Sequence, residues 1–146
     1  MKRGLTILAA GLVLAAGCGG GEESITKDEY LKRARTICRE GNQELAQATQ
    51  KAFKDLKQGE KPTAEQLEAY ARDVVVPMVR QQVDELRALP DPKGAGDQVD
   101  EIYDAFDRAL DRIDEKPSLL TDNPDVFGLF KEAGDLSKAY GFPVCT

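Results

Sequence analysis

The sequence has no histidine, no tryptophan and only three serines. Without histidine, the chain lacks the usual general base, the Ser–His and Cys–His couples, and the commonest zinc ligand. None of the serines, Ser24, Ser118 and Ser137, lies in a G-x-S-x-G turn. No cysteine pair has metal-ligand spacing, and no glycine-rich loop has the form that cradles phosphate. The sequence therefore predicts a non-enzymatic protein with no metal and no cofactor.

A carboxylate-based hydrolase is the weaker alternative that these absences leave open. Glu40 and Glu44 lie one helical turn apart beside Arg39. Exposed charge on a helix explains this spacing better than a pair of catalytic carboxyls does, because carboxylates in that role must converge in a cleft.

Long apolar runs are absent except at the N-terminus. After Lys2 and Arg3, residues 4–17 form an uncharged run of 14 residues. A basic segment followed by an apolar one is typical of a secretory signal peptide. Because a helix needs roughly 20 residues to span a bilayer, we expect residues 1–17 to be a cleaved signal peptide and not a permanent anchor.

The stretch "LAAGC", residues 14–18, resembles the lipobox of bacterial lipoprotein precursors. The usual pattern has leucine three places before the cysteine, where this chain has Ala15. The resemblance implies cleavage before Cys18 and attachment of diacylglycerol to its thiol, with palmitate among the acyl chains. The alternative is an ordinary signal peptide cut after Ala16 or Gly17, which leaves a reactive free thiol.

A lipid on Cys18 predicts a location and a domain organisation. The protein would be anchored on the extracytoplasmic face of the cell membrane, with residues 18–25 as a flexible tether and residues 26–146 as one folded domain. Removing Lys2 and Arg3 leaves 18 basic against 26 acidic residues, a formal charge of −8. A protein with this negative charge is repelled by nucleic acids and by anionic lipids, so the acyl chains must supply the membrane attachment.

The chain has three cysteines, an odd number for an exported protein. If Cys18 carries lipid, Cys38 and Cys145 remain, and an export compartment allows them to pair. Their disulfide would close a loop of about 108 residues, worth about 4–5 kcal/mol in the chain-entropy model.

The rest of the chain predicts helices only, with no internal repeat. Thr26 with Glu29, and Thr63 with Gln66, form capping boxes that begin the first two helices. Apolar residues then recur on a 3.6-residue period. In the first helix these are Tyr30, Ala34, Ile37, Gly41, Leu45, Ala48, Ala52 and Leu56, and Ile25 forms a hydrophobic staple with Tyr30.

The second helix contains Pro77, which removes one backbone donor and should kink it. The third spans residues 97–115 and buries Val99, Ile102, Phe106, Leu110 and Ile113. The fourth begins at "NPD", residues 123–125, and buries Val126, Phe130, Ala133, Leu136 and Tyr140. Gly141 is its expected left-handed cap, with Phe142 folding back on the helix.

Four helices with short connections predict an antiparallel four-helix bundle closed by one disulfide. The arrangement also resembles small exported helical lipoproteins of high-GC Gram-positive bacteria, which pair a cysteine in the first helix with one in a G-x-x-V-C ending. The matching stretches are "ARTIC" at residues 34–38, "LRALPDP" at residues 86–92 and "YGFPVC" at residues 140–145. The resemblance implies a disulfide-bonded helical fold and a location in the cell envelope, and it implies no catalytic residues.

Two features are candidate binding sites. The apolar residues around Pro77 favour a helix packed between neighbours, and alternatively a groove for an apolar ligand lined by Tyr70, Val74, Val75, Met78 and Val79. An acidic stripe on the third helix predicts a solvated face, and less strongly a partner or Ca²⁺ surface. Its members are Asp97, Asp100, Asp104, Asp107, Asp111 and Asp114.

We therefore expect a membrane-anchored cell-envelope lipoprotein that acts as a non-enzymatic binding or interaction module, with a possible envelope protein as its partner. The alternative is a carrier or sensor of a small apolar ligand held near Pro77.

Overall fold

A computed structural model of the chain describes residues 24–122 and 126–142. These residues confirm the all-α class: their only β geometry is an isolated bridge between Ile25 and Pro92. Cys18, Cys145 and the expected cap at residues 123–125 lie outside the described residues. The helices are α1 (Lys27–Ala52), α2 (Ala64–Tyr70), a π-helical turn (Ala71–Val75), α3 (Val76–Arg87), α4 (Gly96–Glu115), α5 (Leu119–Asp122), a 3₁₀ turn (Val126–Phe130) and α6 (Lys131–Tyr140).

The start of α1 is only partly as predicted. Thr26 Oγ1 accepts from the amide of Glu29 at 3.2 Å, so the N-cap is confirmed. The Glu29 carboxylate instead accepts from Arg33 Nε, one turn on, at 2.8 Å. In the predicted capping box, the Glu29 carboxylate would accept from the backbone amide of Thr26. Its ion pair with Arg33, four residues on, replaces that hydrogen bond. Thr63 and Gln66 form both halves of theirs.

Ile25 joins the start of α1 to the loop between α3 and α4. Its amide donates to Asp91 O, its carbonyl accepts from the amide of Lys93, both at 2.9 Å, and its side chain packs on the core. Ile25, the last residue of the expected tether, therefore belongs to the folded body.

Pro77 lies in the first turn of α3 and is preceded by the π turn. In this turn the amide of Val76 donates to Ala71 O, five residues earlier. Because proline has no amide hydrogen and crowds the carbonyl four residues before it, an α-helix cannot run through Pro77 unchanged. The chain accommodates the predicted break with a wider turn, and α2, the π turn and α3 follow one another without a loop.

The core is built around α4, whose predicted inward residues are all buried. α1 packs on α3, α3 on α4, and α4 on α6. Arg87 and Arg80 of α3 pair with Asp104 and Asp111 of α4, so these helices run antiparallel. Between α4 and α6, Arg108 pairs with Glu132, and Tyr103 contacts Phe142, which gives the same antiparallel direction.

The region predicted as one fourth helix is divided in the structure. Residues 126–130 form a 3₁₀ turn, and the α-helix begins only at Lys131. The predicted C-terminal cap is confirmed, since Gly141 has φ +79° and its amide donates to Lys138 O at 3.1 Å. The amide of Phe142 donates to Ser137 O at 2.8 Å, which completes a Schellman motif.

Two tyrosines from distant parts of the chain meet inside this core. The hydroxyls of Tyr30 and Tyr103 are hydrogen-bonded to each other, and both side chains are almost fully buried. The ring of Phe142 lies against both of them, with centroids 6.0 Å from Tyr30 and 6.4 Å from Tyr103. Burial raises the pKa of Tyr30 to about 12, although the hydrogen bond from Tyr103 acts in the opposite direction. Burial also raises the pKa of Tyr103.

A buried amide joins α1 to α3. Gln82 is 7% exposed, and its Nε2 donates to Cys38 O at 3.2 Å and to Ile37 O at 3.4 Å. Gly41 makes room for it, because a Cβ at that position would lie 2.2 Å from Nε2 and 2.8 Å from Cδ. Glycine inside a helix costs about 1 kcal/mol relative to alanine. Gly41 is explained by the space that it leaves for the Gln82 side chain.

We expect Gly41→Ala to have opposite effects in two backgrounds. With Gln82 present, the added methyl displaces the amide, and the loss of its hydrogen bonds, about 1–3 kcal/mol, outweighs the helix-propensity gain of about 1 kcal/mol. In a Gln82→Ala background, the same change stabilises the protein by up to about 1 kcal/mol. Urea unfolding of the four proteins measures the coupling. Equal effects of Gly41→Ala in both backgrounds would contradict this role for Gln82.

Candidate functional site

An open apolar depression lies where α1 ends and α2 passes into the π turn. It has a volume of about 280 Å³ and is lined by Ala52, Phe53, Gln66, Ala69, Tyr70, Asp73 and Val74. We call it the distal depression, because the 26 residues of α1 place it about 39 Å from the helix start. Phe53, Tyr70 and Val74 are half-buried there.

Tyr70 is held in place on two sides. Its ring lies 4.9 Å from that of Phe53, at 52° between the planes. Thr49 Oγ1 donates to Leu45 O at 2.7 Å and is also hydrogen-bonded to the Tyr70 hydroxyl. Because Thr49 has a single hydroxyl hydrogen, which its own helix uses, Tyr70 is the donor to Thr49. The aromatic wall of the depression is therefore fixed before anything binds.

The π turn positions Val74 beside Tyr70. Tyr70 precedes the turn, and Val74 is its fourth residue. The turn is fixed from the other side by Ala71, which is fully buried and packs in a second core cluster with Val76, Leu110 and Ile113. Ala71 and Val76 are buried on the other side of the turn, and Val74 lines the depression, where it is half-buried.

Charge at the rim is locally neutralised. Arg72 Nε and Nη2 donate to the two carboxylate oxygens of Asp73 at 2.8 and 3.1 Å. This hydrogen bonding lowers the pKa of Asp73 and raises that of Arg72, and both side chains are exposed. The rim therefore offers a pair of opposite charges around an apolar floor.

The structure divides the five residues predicted around Pro77. Tyr70 and Val74 line the distal depression, whereas Val79 packs against the second core cluster. Val75 is half-buried and does not line the depression. Met78 lines a separate, polar depression of about 170 Å³ between α1 and α3. Sequence reasoning missed Phe53, which follows the end of α1 and falls outside the helical apolar stripe.

The polar depression beside Met78 contains the two carboxylates considered for hydrolysis. Glu40 and Glu44 line it together with Glu85 and Gln82. Among the residues that the structure describes, no group of three or more acidic or cysteine side chains is placed to hold a metal ion. The three carboxylates of this depression, Glu40, Glu44 and Glu85, are all exposed.

Half of the acidic stripe of α4 is paired with arginines of α3. Arg87 Nη2 donates to Asp104 at 3.2 Å and to Asp107 at 3.1 Å, and Arg80 Nη2 donates to Asp111 at 2.7 Å. These pairs are at least one-third exposed, so each contributes little to stability. They nevertheless occupy half of the predicted stripe, which fits the interpretation of a solvated face.

Comparison with protein-family models, curated proteins and solved structures found no match to this chain. Across residues 24–122 and 126–142, no helix combines the length and apolar content that crossing a bilayer requires.

Proposed function

We propose that the protein is a lipoprotein anchored through Cys18 to the outer face of the cell membrane, where it acts as a non-enzymatic binding module for an envelope protein. The observation that carries the binding role is the distal depression, in which the ordered Phe53–Tyr70 pair and Val74 expose apolar surface about 39 Å from the start of α1. The lipobox-like "LAAGC" supports the anchor.

We further propose an antiparallel four-helix bundle closed by a Cys38–Cys145 disulfide. Cys38 is buried, 4% exposed, and belongs to the main core cluster. Cys38 lies about 12 Å along α1 from Tyr30, against which Phe142 packs. The three residues from Phe142 to Cys145 span up to about 10 Å, and a disulfide joins Cα atoms about 5.5 Å apart. The antiparallel contacts of α3 with α4 and of α4 with α6 support the bundle.

The shape of the distal depression favours a protein partner over a small apolar ligand. Small-molecule sites typically bury at least about 70% of the ligand, whereas this depression is open to solvent and has a floor of a few side chains. One aromatic or aliphatic side chain of a partner fits such a floor. Anchored aromatic residues with pre-set geometry are the usual centres of binding energy at interfaces.

Tyr70→Ala is expected to weaken partner binding by about tenfold or more, since loss of a central aromatic residue typically costs about 2 kcal/mol. Val74→Thr places a hydroxyl on the floor at almost unchanged volume and is expected to weaken binding less, by several-fold. Val75→Thr is the matched control, because this half-buried neighbour does not line the depression.

The measurement is photo-crosslinking in intact envelopes from a probe at Ala52, which is exposed and lines the depression, with thermal melts to verify folding. Equal crosslinking yields for Val74→Thr and Val75→Thr, or an undiminished yield for a folded Tyr70→Ala protein, would refute this binding site.

A further inference from the structure

The outward face of α1 carries a charge opposite to that of the protein as a whole. Seven exposed residues at three- and four-residue steps form this face, opposite the buried Tyr30, Ala34 and Cys38. They are Asp28, Lys32, Arg35, Arg39, Gln43, Ala46 and Gln50. We call them the α1 outer stripe, which contains three cations, one carboxylate and no other charge.

The neighbouring carboxylates of α1 do not interrupt the stripe. Glu29 is paired with Arg33 at 2.8 Å. Glu40 and Glu44 line the polar depression towards α3. Arg39 Nη2 forms an ion pair with Glu40 at 3.6 Å, in which both side chains remain at least 60% exposed. The cationic groups of Lys32, Arg35 and Arg39 are therefore accessible from solvent.

Negative charge is concentrated elsewhere, on α4. Its six-aspartate stripe belongs to a helix that packs mainly on α3 and α6. A helix with its side chains is about 10 Å wide, and the Debye length in physiological salt is about 8 Å. At an anionic surface in contact with the α1 outer stripe, the charge of α4 is screened and the local positive charge decides the sign of the interaction.

We propose that the α1 outer stripe rests on the anionic headgroups of the bilayer that holds the lipid anchor, so that α1 lies flat along the membrane. This orientation rests on the proposed anchor at Cys18. From Cys18 to Ser24 the chain spans up to about 20 Å, and Ile25 fixes the start of α1 to the body. The first turns of the stripe are therefore within reach of the headgroups. Ala52 belongs to the opposite, apolar face of α1, so the distal depression stays accessible.

The test is neutron reflectometry of the acylated mature protein on supported bilayers. On a bilayer containing phosphatidylglycerol, we expect a protein layer about 20–25 Å thick, two helix diameters. On phosphatidylcholine alone, or in about 1 M salt, where the Debye length falls to about 3 Å, we expect a thicker layer of up to about 40 Å, the length of an upright α1.

A charge-neutralised variant identifies the stripe as the cause. The triple variant Lys32→Gln, Arg35→Gln and Arg39→Gln is expected to shift the ratio of flat to upright protein by about a hundredfold, because each cation near an anionic leaflet contributes about fivefold. The triple variant Lys61→Gln, Lys116→Gln and Lys131→Gln removes the same charge from exposed residues outside the stripe and is expected to stay flat.

An anchored layer whose thickness is the same on both lipids, or the same in both triple variants, would overturn the flat orientation while leaving the anchor intact. Failure of the protein to remain on either bilayer after washing would instead overturn the anchor itself.

Discussion

Replacing Cys38 and Cys145 together with alanine is expected to lower the free energy of unfolding by up to about 4–5 kcal/mol. The proposed disulfide joins α1 to the tail after α6 and closes a loop of about 108 residues. Its removal therefore increases the conformational entropy of most of the unfolded chain. Alanine at position 38 also leaves a small space in the core, where Cys38 is 4% exposed. Because folded domains have only about 5–15 kcal/mol of stability, the variant should be close to unfolding at growth temperature.

Thermal unfolding with and without reductant separates the disulfide from the packing of the Cys38 side chain. Reductant should lower the melting temperature of the wild-type protein by many degrees and leave that of the double variant unchanged. If both proteins respond equally to reductant, or if neither responds, the two cysteines do not form a stabilising bridge.

Alkaline pH is expected to unfold the protein through Tyr30 and Tyr103. The pKa of Tyr30 is raised to about 12 and that of Tyr103 is also raised, in both cases chiefly by burial, whereas an unfolded tyrosine has a pKa of about 10. Their stabilising effect is complete below pH 10 and is lost as the pH rises from there towards the folded pKa. Between these pH values, each tyrosine lowers the free energy of unfolding by about 1.4 kcal/mol per pH unit. The pair together lowers it by up to about 5 kcal/mol by about pH 12.

The double variant Tyr30→Phe, Tyr103→Phe removes both ionisable groups and their mutual hydrogen bond together, which avoids an orphaned buried hydroxyl. Urea unfolding from about pH 8 to 12 should show a shallower loss of stability for this variant than for the wild-type protein. Tyr70→Phe is the control, since Tyr70 is half-buried at the distal depression. Parallel pH profiles of the wild type and the double variant would contradict the assignment, because lysine titration is common to both.

Local signals in the sequence specified several helix ends. Thr63 with Gln66 and Gly141 with Phe142 each form a complete motif within six residues, so their conformations depend little on the rest of the chain. The period of α4 likewise predicted all five inward residues. Glu29 did not follow its motif, because Arg33 offers its carboxylate a charged partner within the same helix.

Other features depend on contacts between distant residues, which periodicity does not encode. Tyr30 and Tyr103 are 73 residues apart. Nothing local distinguishes Tyr30 from an ordinary stripe residue, and Tyr103 is not among the inward residues predicted for the third helix. Pro77 predicted a break, but the periodicity did not indicate that the break takes the form of a π turn with Ala71 packed in the second core cluster. The distal depression depends on Phe53, whose partner Tyr70 comes from the next helix.

The most direct test of the central claim, that Cys18 carries lipid while Cys38 and Cys145 pair with each other, is intact mass spectrometry of the mature protein, alkylated with and without prior reduction. The account predicts a chain beginning at Cys18 with the added mass of diacylglycerol and any further acyl chain. It also predicts no alkylation before reduction and two alkylated thiols after it. A chain without acyl mass, or thiols that react before reduction, would contradict it.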